Sequence, residues 1–179
     1  VISNKEGSGD IFVTSSISLS NVITGSKILI NDGKVQLEVD EVIDDNSLRC
    51  KTLIGGEIQK GKGVNFPGVS LGVPALTDQD KEDLKLALNE ESDWIALSFV
   101  RNASDIDGVH EIMDSFNVRL PVMAKIEKWE ALEDLVNITD AFDGLMVARG
   151  DLGVEIPSGK VPAAQKEIIG LASRSGKTV

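Results

Sequence analysis

Three charged side chains in this sequence have the types and spacing to hold a divalent cation beside an anionic substrate. They lie in two segments, Val122-Met123-Ala124-Lys125-Ile126-Glu127 and Gly144-Leu145-Met146-Val147-Ala148-Arg149-Gly150-Asp151-Leu152-Gly153. Each is a short apolar run that ends in charge. A strand alternates its faces, so Lys125 and Glu127, two residues apart, point the same way. The second run delivers Asp151 behind an Arg-Gly pair. One cation and two carboxylates at the ends of successive buried strands suit a metal site for an oxygen-rich anion. Glycines beside Asp151 allow backbone amides to approach such a substrate closely.

The elements that must position these groups change character along the chain. Residues 1 to about 66 read as all-β by their short alternating runs. Asp10–Val13, Lys27–Ile30, Lys34–Val39 and Ser47–Ile54 are the candidate strands, and Asn31-Asp32-Gly33 is a hairpin turn signal. From about residue 75 helices and strands alternate. Thr77 is a candidate cap for a helix to about Glu90, with Leu84, Ala87 and Leu88 at helical spacing. Trp94–Phe99 reads as a strand of a parallel sheet. Ser104 is expected to cap a helix bearing Val109, Ile112, Met113 and Phe116. The strand Val122–Glu127 follows, then a helix carrying Leu132, Leu135 and Val136. The strand Gly144–Ala148 and a helix from Pro162 to Arg174 complete the series, and Lys177-Thr178-Val179 opens a fourth strand.

Strand spacings of about 25 to 30 residues are those of βα units. Doubly wound sheets and (β/α)8 barrels both use such units. The barrel is favoured because polar residues gather at the C-terminal ends of the strands: Ser98 and Arg101, Lys125 and Glu127, Arg149 and Asp151. Three or four strands cannot close a barrel. The start at Val1-Ile2-Ser3, the absence of an initiator methionine and the turn at Ser175-Gly176 all read as the limits of a segment from a longer protein. The expected architecture is α/β, a partial (β/α)8 barrel over residues 67–179 with a small β-rich domain over residues 1–66.

Composition narrows the partners. The 179 residues carry 18 Lys+Arg against 29 Asp+Glu, a net charge of −11. That balance argues against nucleic acid and anionic membrane as general partners. No apolar run is long enough to span a bilayer and no signal-peptide pattern is present. The single cysteine, Cys50, alternates with Leu48 and reads as a buried filler. One unpaired cysteine agrees with a reducing, cytoplasmic setting and leaves a plastidial one open.

The motifs then meet a known pattern. Val122 to Leu132 resembles the active-site signature of the pyruvate kinase family, and Asp143 to Pro157 is similar to its metal-binding stretch. Ser98-Phe99-Val100-Arg101 and Lys62-Gly63-Val64-Asn65-Phe66-Pro67-Gly68 match two further segments of that family, in the same order. The resemblance implies a β-domain acting as a lid, inserted in a barrel of which strands four to seven are present. It implies phosphoryl transfer from phosphoenolpyruvate to ADP, giving pyruvate and ATP, with Mg2+ or Mn2+ and K+ as cofactors and a homotetrameric parent. By the same resemblance Lys125 is the catalytic cation, and Glu127 and Asp151 are the metal ligands. Lys125, Gly150, Asp151, Ser98 and Arg101 bind substrate, while Lys62 and Asp32 reach the nucleotide from the lid, with a joint near Gly61 to Gly68.

Other roles stay open beside these. Lys125 could simply pair with Glu127, Arg149 could be a structural ion-pair residue, and Ser98 and Arg101 could serve the loop. Lys62 and Asp32 could be solvated surface. Lys128-Trp129 departs from the Asn and small or polar residue of many members, which bears on contacts near the metal. His110 is expected to be exposed, and Trp94 and Trp129 to pack. Two alternatives for the whole remain: another magnesium-dependent barrel enzyme acting on pyruvate or its enolate, and a non-catalytic fragment or interaction module. The isolated chain is expected to be inactive.

Overall fold

The structure, a computed structural model, describes residues 1–5, 9–13 and 17–179. Their contacts divide into two compact units, Val1–Val73 and Pro74–Val179.

The first unit is β throughout its described residues. Its strands are β1 (Ile2–Ser3), β2 (Ile11–Phe12), β3 (Lys27–Ile30), β4 (Val35–Asp44), β5 (Ser47–Ile54) and β6 (Val64–Asn65). They form one sheet in the order β2-β1-β5-β4-β3-β6. β3 and β4 are an antiparallel hairpin in which Ile30 faces Val35. The turn between them holds Asn31 and Asp32 at φ 54° and 56°, a region that Asn and Asp tolerate better than most side chains. β4 is longer than the expected Lys34–Val39 because β5 pairs along nearly its whole length, with register shifts that bend the pair. Alternate residues of β3 and β4 point inward: Ile28, Ile30, Val35, Leu37 and Val39 join Leu48, Leu19 and Ile2 in one core. Phe66 is 2% exposed in that core, and Val69 and Leu71 pack against it. The chain after Phe66 therefore stays with the β unit as far as Val73.

The second unit is mixed α/β. It runs α1 (Asp78–Asn89), β7 (Ile95–Leu97), α2 (Asp107–Ser115), β8 (Val122–Ile126), α3 (Trp129–Glu133), α4 (Leu135–Ala141), β9 (Gly144–Val147), α5 (Arg149–Glu155) and α6 (Val161–Arg174). β7, β8 and β9 are parallel neighbours in that order. The expected fourth strand is a single parallel bridge, Thr178 to Gly144. Gly144 fits closely there: a Cβ would lie 3.2 Å from Thr178 O and 3.3 Å from Met123 Cε, tighter than ordinary contact. Val122, Ala124 and Ile126 of β8 are fully buried, and Val109, Met113, Ile138, Phe142 and Ile168 from the helices close over them.

Local chemistry explains the starts of α1 and α6. Thr77 caps α1 in a capping box with Asp80. Pro162 stands in the first turn of α6, and Gly176 leaves it at φ 66°. Three expectations are corrected. The start after β7 is capped by Asn102, not Ser104: Asn102 Oδ1 accepts from Ser104 N, and a 3-10 turn over Ala103–Ile106 leads into α2. The strand expected over Trp94–Phe99 is only Ile95–Leu97, since Phe99 turns to φ 56° and leaves the sheet. The helix expected to bury Val136 is broken at Asp134 into α3 and α4, and Val136 is exposed while Ile138 takes the inward position. Asp134 is held by a tertiary bond, its Oδ2 accepting from Ala103 N at 2.8 Å.

Candidate active site

The end of β8 gathers the charged groups. Lys125 Nζ donates to Ser98 Oγ at 2.8 Å and lies 2.7 Å from Glu127 Oε1. Alternation puts both side chains on one face of β8, and parallel pairing with β7 brings the segment after Leu97 alongside. The Glu127 side chain is 1% exposed and that of Lys125 27%. Burial of this kind holds an ion pair unscreened, and removing either partner strands the other. Glu127 Oε2 accepts from the Phe99 amide at 3.3 Å, a bond made possible by the left-handed turn at Phe99. Glu127 Oε1 has no hydrogen-bond partner among the described residues. Its approach to Lys125 is an ion pair at angles outside those of a hydrogen bond.

The following loop is fixed by Asp105, whose Oδ2 accepts from Arg101 N at 2.7 Å and from Asn102 N at 3.2 Å. Arg101 is thus placed one short turn beyond Ser98, with its side chain half-buried.

Asp151 arrives from the neighbouring strand. Ile126 of β8 pairs with Val147 of β9, and Ala148 N donates to Ile126 O at 3.3 Å. α5 begins at once, with Gly150 and Asp151 exposed in its first turn. Ser98, Lys125 and Glu127 are joined in direct contact, and Arg101, Gly150 and Asp151 stand on the segments that follow β7 and β9. In the β unit, Lys62 and Asp32 are both exposed. Asn31 N donates to Gly63 O at 3.0 Å, so the two residues sit at one end of that sheet.

The remaining acidic chemistry is sparse. Among the described residues no group of three or more His, Cys, Asp or Glu side chains could hold a metal ion. A hard divalent cation held by two carboxylates and completed by substrate oxygens and water needs no larger cluster. His110, expected to be exposed, is half-buried on α2. Trp94 is 44% exposed, and Trp129, at the start of α3, is half-buried. Cys50 is half-buried, and burial pushes its thiol pKa up, the opposite of an activated nucleophile.

Sequence reasoning missed the partners of the neighbouring residues. Lys128 Nζ lies 2.5 Å from Glu155 Oε1, with side chains 23% and 2% exposed. Glu130, in the first turn of α3, has Oε2 buried without a hydrogen bond among the described residues. The only signal in the sequence was the unusual Lys128 itself. An acidic residue at a helix start otherwise reads as favourable to the helix dipole.

The model of the family described as pyruvate kinase, barrel domain, matches residues 3–179. The chain belongs to the pyruvate kinase family. Pyruvate kinase 2 of Synechocystis sp. is 49% identical over 158 residues, which is 87% of this chain and 26% of that protein. The pyruvate kinase of Mycobacterium tuberculosis is 46% identical over 175 residues, 97% of this chain and 37% of that protein. That of Staphylococcus aureus is 40% identical over 176 residues, again 97% of this chain and 30% of that protein. The chain thus spans between about a quarter and two fifths of the length of these relatives. Within the pyruvate kinase family the Ser98–Lys125–Glu127 contacts fall in the segments that carried the resemblance. No helix of the described residues is long and apolar enough to cross a membrane.

Proposed function

We propose that this chain is the catalytic segment of a pyruvate kinase, transferring the phosphoryl group of phosphoenolpyruvate to ADP to give pyruvate and ATP. The observation that carries the reading is the buried Glu127 carboxylate gripped by Lys125 at the mouth of a parallel sheet. In such a transfer negative charge spreads over the phosphoryl oxygens, and fixed cations do most of the work.

Lys125 supplies one cation. Ser98 orients its ammonium, and Glu127 holds it in place. Glu127 and Asp151 are the residues that would hold Mg2+ or Mn2+. The fit is good: Oε1 of Glu127 is a buried anionic oxygen that lacks a hydrogen bond, and hard cations take such oxygens. The bound cation would neutralise charge on the phosphoryl oxygens. By family resemblance Gly150 and Asp151 amides receive the substrate carboxylate, Arg101 assists, and K+ is required; none of the described residues is assigned to K+.

Residues 74–179 then form part of a (β/α)8 barrel. The depression of about 330 Å3 beside β9 and α6, lined by Leu145, Val147, Ile169 and Val179, supports this as an apolar edge that a further strand would cover. The β unit is the lid, bringing Lys62 and Asp32 to the nucleotide and excluding water. A cytoplasmic homotetramer acting on small molecules, without nucleic acid or membrane, completes the reading.

The test uses the full-length enzyme, the protein carrying this segment within a chain of its relatives' length. Glu127→Gln and Asp151→Asn should each sharply weaken activation by Mg2+ or Mn2+ in an assay of pyruvate formation. Wild-type metal titrations in both variants would refute the assignment.

A further inference from the structure

Lys128 follows Glu127 directly, and its ammonium meets Glu155 at the far end of α5. With the carboxylate 2% exposed, this is no solvated surface bridge. Loss of Lys128 takes an opposite charge away from a buried carboxylate. Asp151 stands one helical turn before Glu155, and residues four apart on a helix share a face. The face of α5 that Glu155 turns toward Lys128 is therefore the face that carries Asp151. The backbone bond from Ala148 to Ile126 O joins the same two segments at the other end of α5.

We propose that the Lys128–Glu155 pair is a strut of the metal site, setting the separation of Glu127 and Asp151 and thereby the preference for a small, strictly octahedral cation. This rests on the metal reading given above. The backbone bond and the fully buried Leu152 fix the first turn of α5. Movement of its far end changes the distance from Asp151 to Glu127. The strut opposes that movement by tying down the last residue of α5. The carboxylate is covered and the ammonium partly so, which limits screening of the tie by solvent and salt. Mg2+ demands near-ideal octahedral geometry and punishes a loosened pair of ligands more than the larger Mn2+ does. The two pair members touch neither substrate nor the reacting atoms; they are positioning residues.

The experiment measures metal affinity directly in the full-length protein, with Mn2+ followed by its free-ion electron spin resonance signal and Mg2+ by competition. Lys128→Met, one contact further from the cation than a direct partner of its ligands, should weaken Mg2+ binding by about tenfold, the low end for losses around a metal site, and Mn2+ binding by less. Lys128→Arg, which keeps a buried bridge to Glu155, should stay close to wild type. Unchanged Mg2+ affinity in Lys128→Met overturns the strut. Equal losses of Mg2+ and Mn2+ affinity in Lys128→Met and Lys128→Arg also overturn it, since they indicate general damage. Should Lys128→Met fail to fold, Glu155→Gln, which keeps the side-chain shape, carries the same expectations. Glu127→Gln separates the two claims. If it binds metal as wild type does, the metal reading falls and the strut with it. If it loses metal while Lys128→Met keeps it, only the strut falls.

Discussion

Replacing Lys125 by methionine should do two things that a simple packing defect would not. The substitution removes the ammonium 2.7 Å from Glu127 Oε1 and leaves that carboxylate 1% exposed. Among the described residues the Phe99 amide remains as a donor to it, at 3.3 Å, which is a long bond. Breaking a buried pair in this way costs about 3–5 kcal/mol, and the surviving amide bond pulls the figure toward the lower end. Methionine fills nearly the same volume, so little of the loss comes from packing. The first expected result is therefore a loss of about 3 kcal/mol in the metal-free unfolding free energy of the barrel segment, followed by urea denaturation of the full-length protein. The second is recovery: on the proposed reading Mg2+ or Mn2+ at Glu127 would supply the missing positive charge, so added metal should stabilise the variant more than wild type. Activity should not recover. If Lys125 is the cation for the phosphoryl oxygens, kcat should fall by a factor on the order of 10² or more with a smaller change in KM, as for an interaction made mainly at the transition state. A variant with wild-type stability in metal-free buffer would show that Glu127 does not depend on Lys125. A variant with near-normal kcat would remove Lys125 from the reaction.

On the proposed reading, in which further strands cover the sheet edge beside β9, the isolated 179-residue chain should show no turnover when mixed with phosphoenolpyruvate, ADP and Mg2+; measurable turnover by the purified chain would show such strands dispensable. Thr77→Ala breaks the capping box with Asp80 and should cost about 1 kcal/mol in the full-length protein, with no change in metal affinity. Cys50, its thiol pKa raised by burial, holds less thiolate near neutral pH than a free cysteine; alkylation should be slow there and gain rate only as pH rises past the ordinary cysteine range, and alkylation at the rate of a free thiol would refute the burial.

Much of the second unit was legible because its signals are local. Thr77 and Asp80 make a cap from two side chains three residues apart, and Pro162 and Gly176 mark α6 by backbone preference alone. The alternation that puts Lys125 and Glu127 on one face of β8 follows from the period of a strand, and the run Ser47–Ile54 became β5 as read. The motifs also led to the family, since their order and identity do not depend on where the chain places them.

What the sequence could not supply is contact between residues distant along the chain. Ser98 meets Lys125 because β7 and β8 lie parallel in one register, and Phe99 leaves the sheet to bond a carboxylate 28 residues later. Asp134, at the break between α3 and α4, accepts from Ala103 N, and Ile138 rather than Val136 lies inward. Phe66 reads as the end of the β unit until its burial ties the chain to that core as far as Val73. Lys128 and Glu155 look like two surface charges when read along the chain. Only the fold brings them together and leaves the carboxylate 2% exposed, where low dielectric strengthens the pair. Residue type and period determine the elements and the chemistry they can offer. Burial and register, which depend on the whole fold, determine which of those charges meet.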